Sequence, residues 1–101
     1  MMEIEMNASP EFHKFGSWFL QDIDRIAPTQ EQLYDFVLKH FKGEERVRLR
    51  SFIDRALDRS VSDGELIQLW QSTDADIYFH TADGLRTMLR GARDRLQRPI
   101  G

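Results

Sequence analysis

Apolar residues recur every three or four positions through most of the chain, the period of an α-helix, and turn residues divide the pattern into five segments. In the first, Phe12, Phe15, Phe19, Ile23 and Ile26 fall within about 80° of a helical wheel, with Trp18 at the edge of the stripe. Ser9-Pro10 supplies an N-cap acceptor and a proline at the first helical position, and Ala27-Pro28 supplies a stop, so the pattern predicts one helix over 10–26. Asp22 lies inside the stripe that Trp18 bounds. A carboxylate there needs a partner, and the expectation is a structural ion pair tying Asp22 to an arginine or a helix N-terminus. Removing one side of a buried pair costs about 3 kcal/mol.

Thr29 with Gln32 three residues on forms a capping box, and Leu33, Val37 and Phe41, flanked by Phe36 and Leu38, predict a second helix ended by Gly43. Leu49, Phe52, Ile53, Ala56 and Leu57 predict a third over 44–59, with Glu44 and Glu45 in its first turn and Arg59 in its last, as the helix dipole favours. Ser62 and Glu65 form another capping box before a short fourth helix carrying Leu66, Ile67, Leu69 and Trp70. From Ser72 to His80 the helical period stops. Ile77-Tyr78-Phe79 has strand propensity but no partner strand, which predicts an extended loop pinned by its aromatics. Thr81 then caps a last helix with Leu85, Met88, Leu89, Ala92 and Leu96 as its buried stripe, closed by Arg98-Pro99. The fold class expected is all-α: a single compact bundle of about five helices with a short extended loop before the last. Residues 1–8 are expected to be disordered and 99–101 to fray.

Length and composition narrow this further. A chain of 101 residues supports one domain with one modest core. The absence of cysteine removes disulfides and thiolate metal sites, and suits a cytoplasmic location. No apolar run is long enough for a transmembrane helix or a signal-peptide core, so no membrane partner is expected. The net charge of −3 is unevenly spread: residues 1–35 and 60–85 each carry −5, while 36–59 carry +3 and 86–101 carry +4. Neutralisation between neighbouring helices is the main expectation.

Candidate chemistry is sparse. His13, His40 and His80 have no metal-site spacing, so no metal and no cofactor are expected. His40, near a helix end, suits a partial cation at the negative end of the dipole. No glycine-rich phosphate loop or nucleophile motif is present, and Asp74 and Asp76 lie two apart on a loop without a recognisable apolar pocket. The chain reads as no enzyme. Arg86, Arg90 and Arg93 form a stripe, but a chain with pI near 5.5 and two acidic segments is not expected to attract a nucleic acid. Phe19, Trp70 and Phe79 are expected in the core, while Trp18 and Tyr78 fit core and interface alike.

The run Phe12-His13-Lys14-Phe15-Gly16-Ser17-Trp18-Phe19-Leu20-Gln21-Asp22 resembles the opening of small bacterial immunity proteins of contact-dependent growth inhibition systems. Their pattern is an aromatic-rich helix with a Tyr-Phe-His-Gln-Asp core; here Trp18 replaces the Tyr and Leu20 the His. The acidic loop from Asp74 to Phe79, then Ala82-Asp83-Gly84-Leu85 and Arg93-Asp94-Arg95-Leu96, is similar to the family's ending. Between them the middle helices match in length and general character, so the resemblance spans 12–96 in outline, with Phe-x-Gln-Asp as its most specific motif. It implies a non-enzymatic inhibitor that acts in the cytoplasm by binding a cognate toxin domain, often a nuclease with a basic groove. The charge map fits such a partner independently. Asp74, Asp76, Tyr78, Asp83 and Glu65 form the expected partner-binding surface, with Asp24 added from the polar side of the first helix. A monomer is favoured. The alternative is a helical adaptor or regulatory domain that meets an acidic partner through the Arg86, Arg90 and Arg93 stripe.

Overall fold

Ser9 Oγ accepts the Phe12 amide at 3.2 Å and Pro10 takes the first helical position, so the chain enters α1 (Pro10–Ser17) as the sequence predicts. The computed structural model describes residues 7–97. The expectations for 1–6 and for the tail beyond Gln97, including the Arg98-Pro99 stop, lie outside the described residues; Ala8 packs against the core.

The single helix predicted over 10–26 is two helices. α1 stops at Ser17, the chain turns through Trp18 to Asp22, and α2 (Ile23–Ile26) follows. Across the corner the backbone bonds tighten from i−4 to i−3: Phe19 N–H donates to Gly16 at 2.9 Å and Ile23 N–H to Leu20 at 3.0 Å. The tight turn still delivers Phe19 and Ile23 to the core, which is why the period survives in the sequence after the helix has ended. Gly16-Ser17, two weak helix formers in succession, is the local weakness.

Asp22 is corrected by the same break. It occupies the N-cap position of α2, is exposed, makes no capping bond, and forms no ion pair among the described residues. The wheel that buried it assumed a continuous helix. Ile26, at the end of the supposed stripe, is 50% exposed. Asp22→Ala is therefore expected to change unfolding free energy by less than about 0.5 kcal/mol. A loss near the value expected for a buried pair, read by urea unfolding, would contradict the exposed placement.

The remaining helices form where their caps specify. α3 (Gln30–Leu38) and α5 (Asp63–Gln71) each open on a complete capping box, Thr29 with Gln32 and Ser62 with Glu65. α4 (Glu44–Ala56) starts after Gly43, whose φ of +60° favours glycine, and ends one turn earlier than predicted. Its end leads into a turn in which Asp58 Oδ2 accepts the N–H and O–H of Ser60, holding that carboxyl below its usual range. α6 (Ala82–Gln97) starts where Thr81 Oγ1 accepts the Gly84 amide at 3.1 Å. The described chain is thus all-helical with six helices, the extra one produced by the corner, and it contains no strand.

α6 lies against α3, α4 and α5, with α1 on α4 and α2 on α3. Trp70 is the hub of the aromatic core, its ring centre 4.9 Å from Phe19, 5.6 Å from Phe79, 6.0 Å from Phe12 and 6.2 Å from Phe15. On α3, Tyr34 is buried and donates to the Met88 carbonyl at 3.0 Å, lying over Gly91, where a Cβ would sit 2.2 Å from the phenol oxygen. Burial raises its phenol above the ordinary tyrosine value, partly offset by Arg95. Lys14 joins three elements: it bonds both Glu45 oxygens at 2.9 Å and the His40 carbonyl at 2.8 Å, and lies over the Phe41 ring.

Candidate partner-binding surface

Between α5 and α6 the chain is neither helix nor strand, with bends at Thr73, Asp76 and His80, and its exposure alternates with a period of two. Thr73 and Ala75 are buried and Ile77 and Phe79 half-buried, while Asp74, Asp76, Tyr78 and His80 point to solvent. This is the inward and outward alternation of a strand with no sheet to join. Four attachments substitute for a sheet. Thr73 packs against Gly16 so closely that a Cβ there would meet Thr73 Oγ1 at 2.4 Å and its Cβ at 2.6 Å. Thr73 Oγ1 also donates to the Trp70 carbonyl at 2.6 Å. The Trp70 indole N–H donates to the Ile77 carbonyl at 2.8 Å. The Asp76 N–H donates to the Phe19 carbonyl at 2.9 Å. Phe79 meets Trp70 edge to face, so the expected pinning by aromatics is present.

The bond from Asp76 to Phe19 joins the two acidic segments of the chain. It brings the loop carboxylates Asp74 and Asp76 to the corner that leads into Asp22 and Asp24. All four are exposed, as is Asp83 in the first turn of α6, and none is ion-paired among the described residues. Tyr78 is 64% exposed, the most exposed of the large apolar side chains, so this aromatic faces solvent outside the core. Glu65 is exposed but occupied, with its Oε1 accepting the Ser62 amide in the capping box. Asp22 is the surface residue that the sequence reading placed elsewhere, and the Gly16-Ser17 pair was the signal for the break that exposes it.

Several other charges are matched internally. Arg86 forms a fork on Asp63 at 3.1 and 3.2 Å and donates to the Val61 carbonyl at 2.9 Å. Arg93 reaches Asp54 at 3.5 Å, Arg95 pairs with Asp35, and Arg48 spans Glu11 and Glu44. The arginine stripe of the last helix therefore spends two of its members, Arg86 and Arg93, on neighbouring helices, leaving Arg90 exposed and unpaired among the described residues. Exposed pairs of this kind contribute at most about 1 kcal/mol each. Among the described carboxylates without an ion pair, Asp74 and Asp76 lie on the loop and Asp22 and Asp24 at the corner, with Glu31, Asp58, Glu65 and Asp83 elsewhere.

His40 is not the helix-end cation that its position suggested. Its ring lies flat on Trp18, 3.5 Å between centres and 2° from parallel, with Phe36 edge-on at 5.8 Å. Burial, with Lys39 and Lys14 nearby, holds the imidazole below its ordinary value and so neutral. Among the described residues no group of three or more histidines or carboxylates is placed to hold a metal ion, and no helix is long and apolar enough to cross a membrane. No protein-family model matches the chain, and neither a curated protein nor a solved structure matches it.

Proposed function

We propose that the chain is a non-enzymatic immunity protein, acting in the cytoplasm by binding and blocking the toxin domain of a contact-dependent growth inhibition system. The resemblance of 12–22 to such proteins motivates the reading. The outward row Asp74, Asp76 and Tyr78 carries it. These residues are exposed at alternate positions of a segment fixed to the core, and the two carboxylates have no ion-pair partner among the described residues.

The row presents two negative charges and then an aromatic ring at alternate positions of the segment. A nuclease groove built for phosphates and bases offers cations and stacking surfaces in a comparable succession. The carboxylates replace phosphates there, Tyr78 supplies the buried anchor, and Asp22, Asp24 and Asp83 add negative potential that speeds encounter. Because the loop is already fixed, little ordering entropy opposes binding. The adaptor reading is less favoured, since internal ion pairs use Arg86 and Arg93.

Copurification with a toxin domain from a neighbouring reading frame tests the function, and absence of such a frame or of a complex would overturn it. Charge reversal at Asp74 and Asp76 together should weaken that complex about tenfold or more at physiological salt and flatten its salt dependence, with thermal unfolding unchanged. Unchanged affinity would remove the loop from the contact.

A further inference from the structure

We propose that the stack of His40 on Trp18 is a proton-operated latch on the corner that holds the acidic loop. The two rings lie parallel at 3.5 Å, Phe36 closes the third side edge-on, and His40 Nε2 is buried with no hydrogen-bond partner. A neutral ring can place a lone pair at that nitrogen. The protonated ring must place an N–H there, with no acceptor in reach.

The charged groups around the ring oppose protonation too. Lys39 belongs to the same turn as His40, and α1 contributes Lys14, whose ammonium donates to the His40 carbonyl at 2.8 Å. α4 contributes Glu45, but Lys14 engages both of its oxygens. The end of α3 and the face of Trp18 favour a cation, and they act against a donor without an acceptor and two ammonium groups. The balance favours the neutral ring, so a proton taken up in acid drives the imidazole out to water.

The loop is two steps away. Trp18 is the residue at which α1 ends, and the carbonyl of the next residue, Phe19, accepts the Asp76 amide at 2.9 Å. When His40 leaves, Trp18 loses one wall of its packing, the corner loosens, and Asp76 loses its acceptor. The sign follows from the lowered imidazole pKa. Below the ordinary value of 6.5 the unfolded chain takes up a proton that the folded chain refuses, so stability is full above that pH and declines as pH falls below it. The bearing on partner affinity rests on the toxin reading above, whereas the latch is measured on the free protein, so either can fail alone.

The test is a nuclear magnetic resonance titration of the full chain from about pH 7.5 to about pH 5, in a His80→Gln background that removes the loop's own histidine. His40 should titrate below the ordinary histidine value of 6.5. The Asp76 amide and Trp18 indole resonances should move with His40, and the hydrogen-exchange protection factor of Asp76 should fall about tenfold or more at the acid end. His40→Phe keeps an aromatic ring without a titrating nitrogen and should hold Asp76 protected throughout; His40→Gln serves the same purpose if the Phe variant does not fold. Undiminished Asp76 protection while His40 titrates, or loss of protection that persists without His40, would overturn the latch.

Discussion

Trp70→Ala is expected to lower unfolding free energy by about 4 kcal/mol. The side chain is 2% exposed and touches aromatic rings from α1, from the corner and from the loop, so its removal leaves a cavity among groups that cannot close in together. A second loss adds to the cavity. The Ile77 carbonyl accepts from the indole N–H and Phe79 packs edge-on against the same ring, so without it that segment keeps only Asp76 and Thr73 as fixings. A domain of this size has about 5–15 kcal/mol in all, so the variant should sit near the edge of folding. Urea unfolding followed by circular dichroism measures it. Trp70→Phe keeps most of the apolar contact and loses the donor, and should fall between the two. A loss below about 1 kcal/mol in the alanine variant would mean that Trp70 is not the hub of the core.

Gly16→Ala is the second large effect, and its sign runs against local propensity. Glycine to alanine inside a helix normally adds up to about 1 kcal/mol of stability. Here the new methyl would lie 2.4 Å from Thr73 Oγ1 and 2.6 Å from Thr73 Cβ. Cβ is fixed to the backbone, so no rotamer of Thr73 relieves the clash and the loop must shift. Overpacking of this kind costs about 1–3 kcal/mol, and displacing Thr73 also endangers its bond to the Trp70 carbonyl. The expected net loss is about 2–3 kcal/mol. Pairing the substitution with Thr73→Ala should recover part of it, and a fully additive double variant would show that the two positions do not touch.

Helix type and most helix boundaries were legible because each start is written locally. Ser9, Thr29, Ser62 and Thr81 all accept the amides that their spacing predicted. The corner was not legible from the hydrophobic pattern, since a turn of i−3 bonds delivers Phe19 and Ile23 inward nearly as a helix would. Asp22 followed that error into the interior. The segment was read as a non-helical loop pinned by aromatics, and it is one, since Phe79 packs on Trp70; the alternation that exposes Asp74, Asp76 and Tyr78 was not part of that reading. What no local pattern carries is the contact between Gly16 and Thr73, or that from Phe19 to Asp76, since each joins residues more than half the chain apart. His40 failed for the same reason: its pKa is lowered by burial, which the stack on Trp18 at the distant corner helps to create, and by Lys39 and Lys14.

The seam between Gly16 and Thr73 also sets an order of assembly. α1 is synthesised well before the residue that packs on its glycine and the indole around which its phenylalanines gather, Thr73 and Trp70. That helix must wait. Contacts of such long sequence separation form late and raise the folding barrier. The acidic row is therefore displayed only once both halves have met, and a truncated or half-folded chain would not present the proposed surface in its folded form.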